Sequence, residues 1–500
     1  MTTAGKVEEG KRGFRAFVRR RGKVLLIAAL ALVAVASSAV IYSYTSGAPE
    51  LDEARRQATE RGLALTMTEF LRRLPDAPEG ENAAAVYELA AASAAGKGIE
   101  LPTGVVPLVS RSLYLSKPPT EEMARVKADS ERILADPREP VPDYMLAATK
   151  EYVEARREAI NLVHKGAALP GAKFHFTYQG YNTILPHLSK ARSMTRMLAL
   201  AAWVDAEEGR PREAVGKVRD SLAMARSLRN EPFLVSALVE AVCVSITVSV
   251  ALPRVLTRTD VPNEDLEALQ RDCEKIAEEF SIRLGLEGEL AAFCDAYGDI
   301  RSGRVKLQQV IDQSRWYGLQ QGTGQSAGSI VIAKMPHWLI KGQIDSDQAA
   351  GMRYLVDIND HVEGSPAELA QVRERFAAEM ENERHLLAYV RSRTLESGPD
   401  TVFETRARLR SAAAALAALR FKNDTGKWPD TLATLVPKYL DKVPLDPYAD
   451  APLVYRVLDD GILVYSVGVK GKDDGGKLSP ALPAGVGQSK DDDVGVRLWK

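Results

Sequence analysis

Cysteine is scarce: Cys243, Cys273 and Cys294 are the three in 500 residues. That excludes a disulfide framework as the basis of the fold. One bridge could form, and the spacing does not assign it. No Cys-x-x-Cys pair occurs, so neither a thioredoxin-type redox motif nor a zinc ribbon is supported. Histidine is also sparse. His164, His175, His187, His337, His361 and His385 include no His-Glu-x-x-His or similar metal spacing, so each reads as a surface or packed histidine. Charge of one sign is lacking too: the formal net charge is −1, which leaves no global field to attract nucleic acid. With 45% apolar and 27% charged residues the chain has a globular composition, and its length calls for two or three structural units.

One stretch has no charge at all. Val24 to Tyr44, VLLIAALALVAVASSAVIYSY, runs for 21 residues. A helix needs about 20 apolar residues to cross a bilayer. Lys11, Arg12, Arg15, Arg19, Arg20, Arg21 and Lys23 lie directly before it, and the first charge after it is Glu50. Basic flanks stay cytoplasmic, so the expected topology puts residues 1–23 inside as a basic stub, 24–44 across the membrane, and the rest outside. The competing reading is a cleaved signal, for which Ala34-Val35-Ala36 and Ser37-Ser38-Ala39 offer small residues. A signal's apolar region usually spans about 7–15 residues, so the length favours a retained anchor.

Helical spacing dominates residues 51–394, after an expected exit linker over 46–53. The periodicity predicts helices at Leu63–Leu74, from Glu81, from Thr120, over Tyr144–Val163, over 183–208 and over 211–228. Gly209 and Pro211 punctuate the last two. That pair looks like a single tetratricopeptide-type hairpin, with Gly209, Ala214, Leu222 and Pro232 near the places such a repeat uses them. Pro232–Leu252 is very apolar, with Glu240 its one charge. A buried helix, a second membrane span and a strand all fit it, and the flanking helices favour the first. Val261–Ile300 reads as helix interrupted at Gly285 and Gly288, residues 301–345 are ambiguous, and helix resumes over 365–394.

Residues 401–500 differ in kind. A helix over Val402–Phe421 is followed by Gly426, a short helix that Asp430 can cap, and alternating strands at Leu453–Val457, Ile462–Ser466 and Val494–Leu498. Asp459-Asp460-Gly461 signals a hairpin between the first two. The expected fold class is therefore mainly α: an N-terminal transmembrane helix, a multi-helix, partly tetratricopeptide-like body, and a small α+β C-terminal module with an antiparallel sheet.

Several motifs of this module occur in a familiar order. Gly426-Lys427-Trp428-Pro429 follows a long helix, Leu432 and Leu435 mark a short one, and Pro444-Leu445-Asp446-Pro447 forms a turn. Tyr455, Ser466-Val467-Gly468, Asp473-Asp474 and Asp491-Asp492-Asp493 complete the series. The last 100 residues thus resemble the globular domain of type II secretion major pseudopilins, whose acidic loop binds calcium. The resemblance implies a calcium site at Asp473, Asp474, Asp491, Asp492 and Asp493. Calcium takes oxygen ligands on a flexible frame, which five carboxylates and Gly475-Gly476 suit; on the residues alone an unliganded acidic turn is favoured, and the resemblance brings the two near even. The chain departs from that family in its anchor, which lacks the glutamate of a pseudopilin helix. More than 350 residues also separate Tyr44 from Val402, so assembly as a pilus subunit is not expected. The whole chain resembles uncharacterised bacterial membrane-anchored helical proteins, which implies an inner-membrane location and brings no activity.

Gly324-Gln325-Ser326-Ala327-Gly328 fits the nucleophile-elbow pattern, but WYGLQQGT before it is not a strand, so a loop is expected. No catalytic or cofactor-binding residue is assigned. Two functions follow. One is an envelope-anchored interaction or assembly protein with protein partners, a single membrane span and no enzymatic role. The other is an anchored hydrolase whose site lies in the helical body.

Overall fold

Apolar residues at helical spacing make helix the rule among the described residues from Ala48 to Thr425. The computed structural model describes residues 47–77, 80–95, 121–180, 183–306, 340–380, 387–478 and 492–499, with 34, 37, 38 and 309. The expected anchor over 24–44 and the Gly324–Gly328 motif lie outside these, apart from isolated positions in the former. The chain falls into two compact units, one of residues 1–62, 296–353 and 378–391, the other of 63–295, 354–377 and 392–500.

In the first unit, α1 (Ala48–Glu60) begins inside the stretch expected to be a linker. Pro49 sits in its first turn, where its fixed φ suits a helix and its missing N–H costs nothing. Gly47 has no Cβ because the backbone of Gly342 and Ser346 would meet one at 2.0 and 2.7 Å. Ser346 donates to Glu50 at 2.8 Å, and Arg301 Nε to Asp345 at 2.9 Å.

The second unit opens with α2 (Met67–Arg73), capped by Thr66, and α3 (Ala83–Ala95). Then come α4 (Glu121–Ala135), α5 (Asp143–Glu154) and α6 (Arg157–Ala167). The single helix expected over 144–163 is thus two. Arg156 leaves helical geometry at φ −114° and ψ 13° and turns its guanidinium over the Tyr152 ring at 3.9 Å. Next, α7 (Pro186–Glu207) and α8 (Pro211–Arg226) form the expected hairpin. Gly209 takes φ +71° at the turn, and the Arg210 amide returns to Asp205 O at 2.8 Å. Alanines on their facing sides, among them Ala191, Ala202, Ala214 and Ala225, are fully buried and allow close approach.

The apolar stretch is a buried helix, not a strand. It comprises α9 (Leu234–Ile246), a π-helical turn Thr247–Ala251 and α10 (Leu252–Arg258), and 72% of its most apolar window is buried. Pro253 explains the wide turn: it has no N–H to donate four residues back, so the backbone widens before it. The next pair, α11 (Asn263–Glu279) and α12 (Arg283–Arg301), breaks at Phe280-Ser281, not at the glycines. Gly285 and Gly288 lie inside α12 because Leu234 and Pro232 cross there. A Cβ on Gly288 would stand 1.7 Å from Pro232 O.

The stretch left ambiguous, 301–345, ends in the first turn of α13 (Lys341–His361), which is followed by α14 (Pro366–Met380). Finally α15 (Leu387–Thr425) runs through Gly398-Pro399, where a break was expected. Gly398 fits closely against Leu234 and Ile282, so packing holds a helix that propensity alone would end. After Gly426 a 3₁₀ turn covers Leu432–Leu435, and Thr431, not Asp430, is its N-cap residue.

The sheet has β1 (Val454–Leu458), β2 (Gly461–Ser466) and β3 (Val494–Trp499) in that order, all antiparallel. Asp459-Asp460 forms the two-residue loop, with Leu458 opposite Gly461. One hydrophobic cluster runs from Ala83 in α3 through α7–α11 and the buried alanines of α15 to Leu498 in β3. The sheet and the helices of this unit therefore share a core. Gln270 of α11 donates to Tyr439 O at 2.8 Å, and Arg138 and Arg497 both bind Asp460.

Candidate functional site

The acidic loop leaves the sheet after Ser466. Asp473 accepts hydrogen bonds from Tyr465 Oη at 2.7 Å, from the Gly475 amide at 2.8 Å and from Arg456 at 2.7 Å. These donors, Tyr465 foremost, hold its carboxyl below the usual range. Asp474 pairs with Lys470 at 3.2 Å and Asp492 with Lys477 at 3.8 Å. Asp493 is 2% exposed, and its Oδ2 takes the Gly476 amide at 2.9 Å. Burial pushes its carboxyl up, with Asp473 and Asp474 adding repulsion. The fold therefore brings Asp473, Asp474 and Asp493 near one another. Asp491 lies outside the described residues. Among the described residues no group of three His, Cys, Asp or Glu side chains is placed to hold a metal ion.

Beside Asp493 opens a cleft of about 320 Å³ that the sequence did not announce. Its walls come from the end of α4, the π-turn and α10, α15 and β3: Ile133, Ala135, Trp203, Val248, Leu478 and Trp499 are among them. Its polar groups are Arg254, Arg408, Arg497, Ser249 and Asp493. Arg254 is 1% exposed. Its Nε reaches Glu207 at 3.0 Å, its Nη2 reaches Glu207 at 2.6 Å and Glu139 O at 3.0 Å, and its plane lies 5.1 Å from the Trp203 ring. Desolvation lowers its pKa, and Glu207 opposes this. Arg408 Nη1 donates to Ser249 Oγ at 2.7 Å. The π-turn also leaves Val250 O to accept from Trp203 Nε1 at 3.2 Å, which fixes that ring in the wall. Three buried polar atoms of this lining have no hydrogen-bond partner: Arg254 Nη1, Asp493 Oδ1 and Arg497 Nε.

A second cleft of about 270 Å³ lies where α6, α8 and α11 meet. His164 Nδ1 stands 3.1 and 3.0 Å from the two oxygens of Asp220, with Arg219, Arg226, Asp272 and Lys275 around it. Burial raises the Asp220 pKa and His164 opposes it. His164 is separated from Asp220 by 56 residues, so no local spacing could have revealed the pair. Of the other histidines, His187 is buried, stacked on Phe174 at 4.6 Å and bonded to Glu231 at 2.9 Å. His361 Nδ1 donates to Asp357 O at 2.7 Å within its own helix, and His175 is exposed. His337 and His385 lie outside the described residues. All three cysteines are free, and burial pushes the Cys243 thiol up to about 11.

No family model, no curated protein and no solved structure matches the chain.

Proposed function

We propose that the protein is a membrane-anchored, extracytoplasmic interaction protein of the bacterial envelope. In this reading residues 24–44 hold it in the inner membrane as a single span, residues 1–23 stay inside, and the body engages a protein partner outside. The α7–α8 hairpin serves as a tetratricopeptide-like scaffold, and the pseudopilin-like module docks on it. One observation carries the interaction role: the cleft beside β3 is lined by arginines and aromatic rings. Arginine stays protonated at any physiological pH, so such a lining recognises a ligand and transfers no proton. The test is a photoactivatable residue in place of Leu478, at the cleft, irradiated in intact membranes. A defined adduct that disappears when Ala135→Trp fills the cleft supports the reading; equal adduct yields with and without the filling residue reject it.

Calcium belongs to the same proposal. The nearness of Asp473, Asp474 and Asp493 supports it, and a bound ion would have to draw Asp473 from Arg456 and Asp474 from Lys470. A ligand of the folded state alone stabilises by about 2.7 kcal/mol at a hundredfold excess over Kd. The full chain should therefore melt higher in calcium than in chelator, and equal midpoints would leave an unliganded turn.

The hydrolase reading keeps one supporting observation, the His164–Asp220 pair. A carboxylate on Nδ1 orients an imidazole whose Nε2 can then act as a base. Turnover of p-nitrophenyl acetate lost in His164→Gln supports it, and equal rates in both chains dismiss it.

A further inference from the structure

We infer that the cleft beside β3 receives the free C-terminal end of a polypeptide with an apolar last residue. This rests on the interaction reading above and names the chemistry of the partner. The orphaned atoms set the requirement. Arg254 has spent Nε and Nη2 on Glu207 and Glu139 O, which leaves Nη1 as a buried cationic donor without an acceptor. Asp493 accepts from the Gly476 amide at Oδ2 and has the Asp474 amide beside its carboxylate, while its buried Oδ1 makes no hydrogen bond of normal geometry. Unmade buried hydrogen bonds are costly, so an occupant that supplies both an acceptor and a donor is favoured. A chain end does so within one residue: its carboxylate serves Arg254, and its backbone N–H serves Asp493.

The remaining lining fits the rest of such a group. Ile133, Val248, Val250 and Leu478, which line the cleft together with Trp203 and Trp499, offer an apolar seat for the last side chain. Arg408, held by Ser249 and paired with Glu404, completes the polar side of the lining. Size points the same way. At about 320 Å³ the cleft is at the small end of ligand sites, roughly 300–1,000 Å³, so it takes a residue or two and not a folded surface. Capture of a terminal carboxylate is a known mode of peptide recognition.

The experiment titrates the full chain in detergent with the tripeptide Ala-Ala-Leu, following tryptophan fluorescence, since Trp203 and Trp499 line the site. The same titration uses the C-terminally amidated tripeptide and Ala-Ala-Glu. Saturable binding of Ala-Ala-Leu is expected, with both other peptides weaker by about tenfold or more. Asp493→Asn, which keeps the shape but turns the acceptor toward donor character, should weaken Ala-Ala-Leu to a similar degree. Ala135→Trp, at the exposed mouth of the cleft, should abolish binding with an unchanged melting midpoint. Equal affinity for free and amidated ends, or no saturation by any of the three peptides, overturns the inference. Neither result touches the interaction reading, because the photocrosslink at Leu478 reports any occupant, whatever its chemistry.

Discussion

At the residue scale, the turn and strand motifs between Gly426 and Gly468 do local structural work. Asp446 of the Pro-Leu-Asp-Pro turn is 2% exposed and accepts from Ser466 Oγ at 2.7 Å, Val467 N at 2.9 Å and Tyr448 N at 2.8 Å. It thereby ties the turn to the end of β2. Trp428 lies under Lys422 at 4.4 Å, and Tyr455 Oη donates to Pro429 O at 2.8 Å. These roles follow from the residues whatever their ancestry. Glu240 is different: it is the one charge of the buried apolar stretch Pro232–Leu252. Burial pushes its carboxyl up to about 7, against the pull of Arg229 at 3.1 Å and of Arg226; Glu279, bound to the same arginines, pushes it further. The folded chain then holds a proton that the unfolded chain releases near 4.5. Between those values the folded state binds more protons, so this group's contribution to stability falls as pH rises through the window. Glu240→Gln stays neutral throughout and should flatten that fall in a series of thermal melts. A slope unchanged by the substitution would show that Glu240 ionises at its ordinary value.

At the scale of elements, legibility followed the range of the causes. The α7–α8 hairpin was readable because Gly209, Pro211 and the alanine stripe all act within a few residues. The β1–β2 hairpin was readable for the same reason, through Asp459-Asp460-Gly461. The misplaced breaks have non-local causes. Gly285 and Gly288 looked like interruptions of a helix, yet they are where Pro232 and Leu234 press against it. Gly398-Pro399 looked like an end, yet tertiary packing carries α15 through. The cleft was unreadable for a stronger version of this reason. Arg254, Arg408 and Asp493 come from three distant parts of the chain, and of these Asp493 alone stood out in the sequence, as part of an acidic loop. The crossing at Gly288 gives a direct check. Gly288→Ala puts a Cβ onto Pro232 O, and overpacking of this kind costs roughly 1–3 kcal/mol. Denaturant melts of the full chain should show that loss; a wild-type midpoint would mean the crossing has room to yield.

For the whole molecule, the expectation of a mainly helical chain ending in a small antiparallel sheet agrees with the structure. A shared core joins that sheet to the helices of its unit, so the module is best studied in the full chain. The proposed function puts this body outside the cytoplasm, on the strength of the uncharged run from Val24 to Tyr44 behind a basic stub. The most direct measurement fuses a reporter after residue 60, one version active only outside the cytoplasm and one only inside. The account predicts activity of the outside reporter alone, on a membrane-bound chain that keeps its N-terminus. Activity of the inside reporter would contradict it, and a soluble product beginning near Val40 would replace the anchor with a cleaved signal.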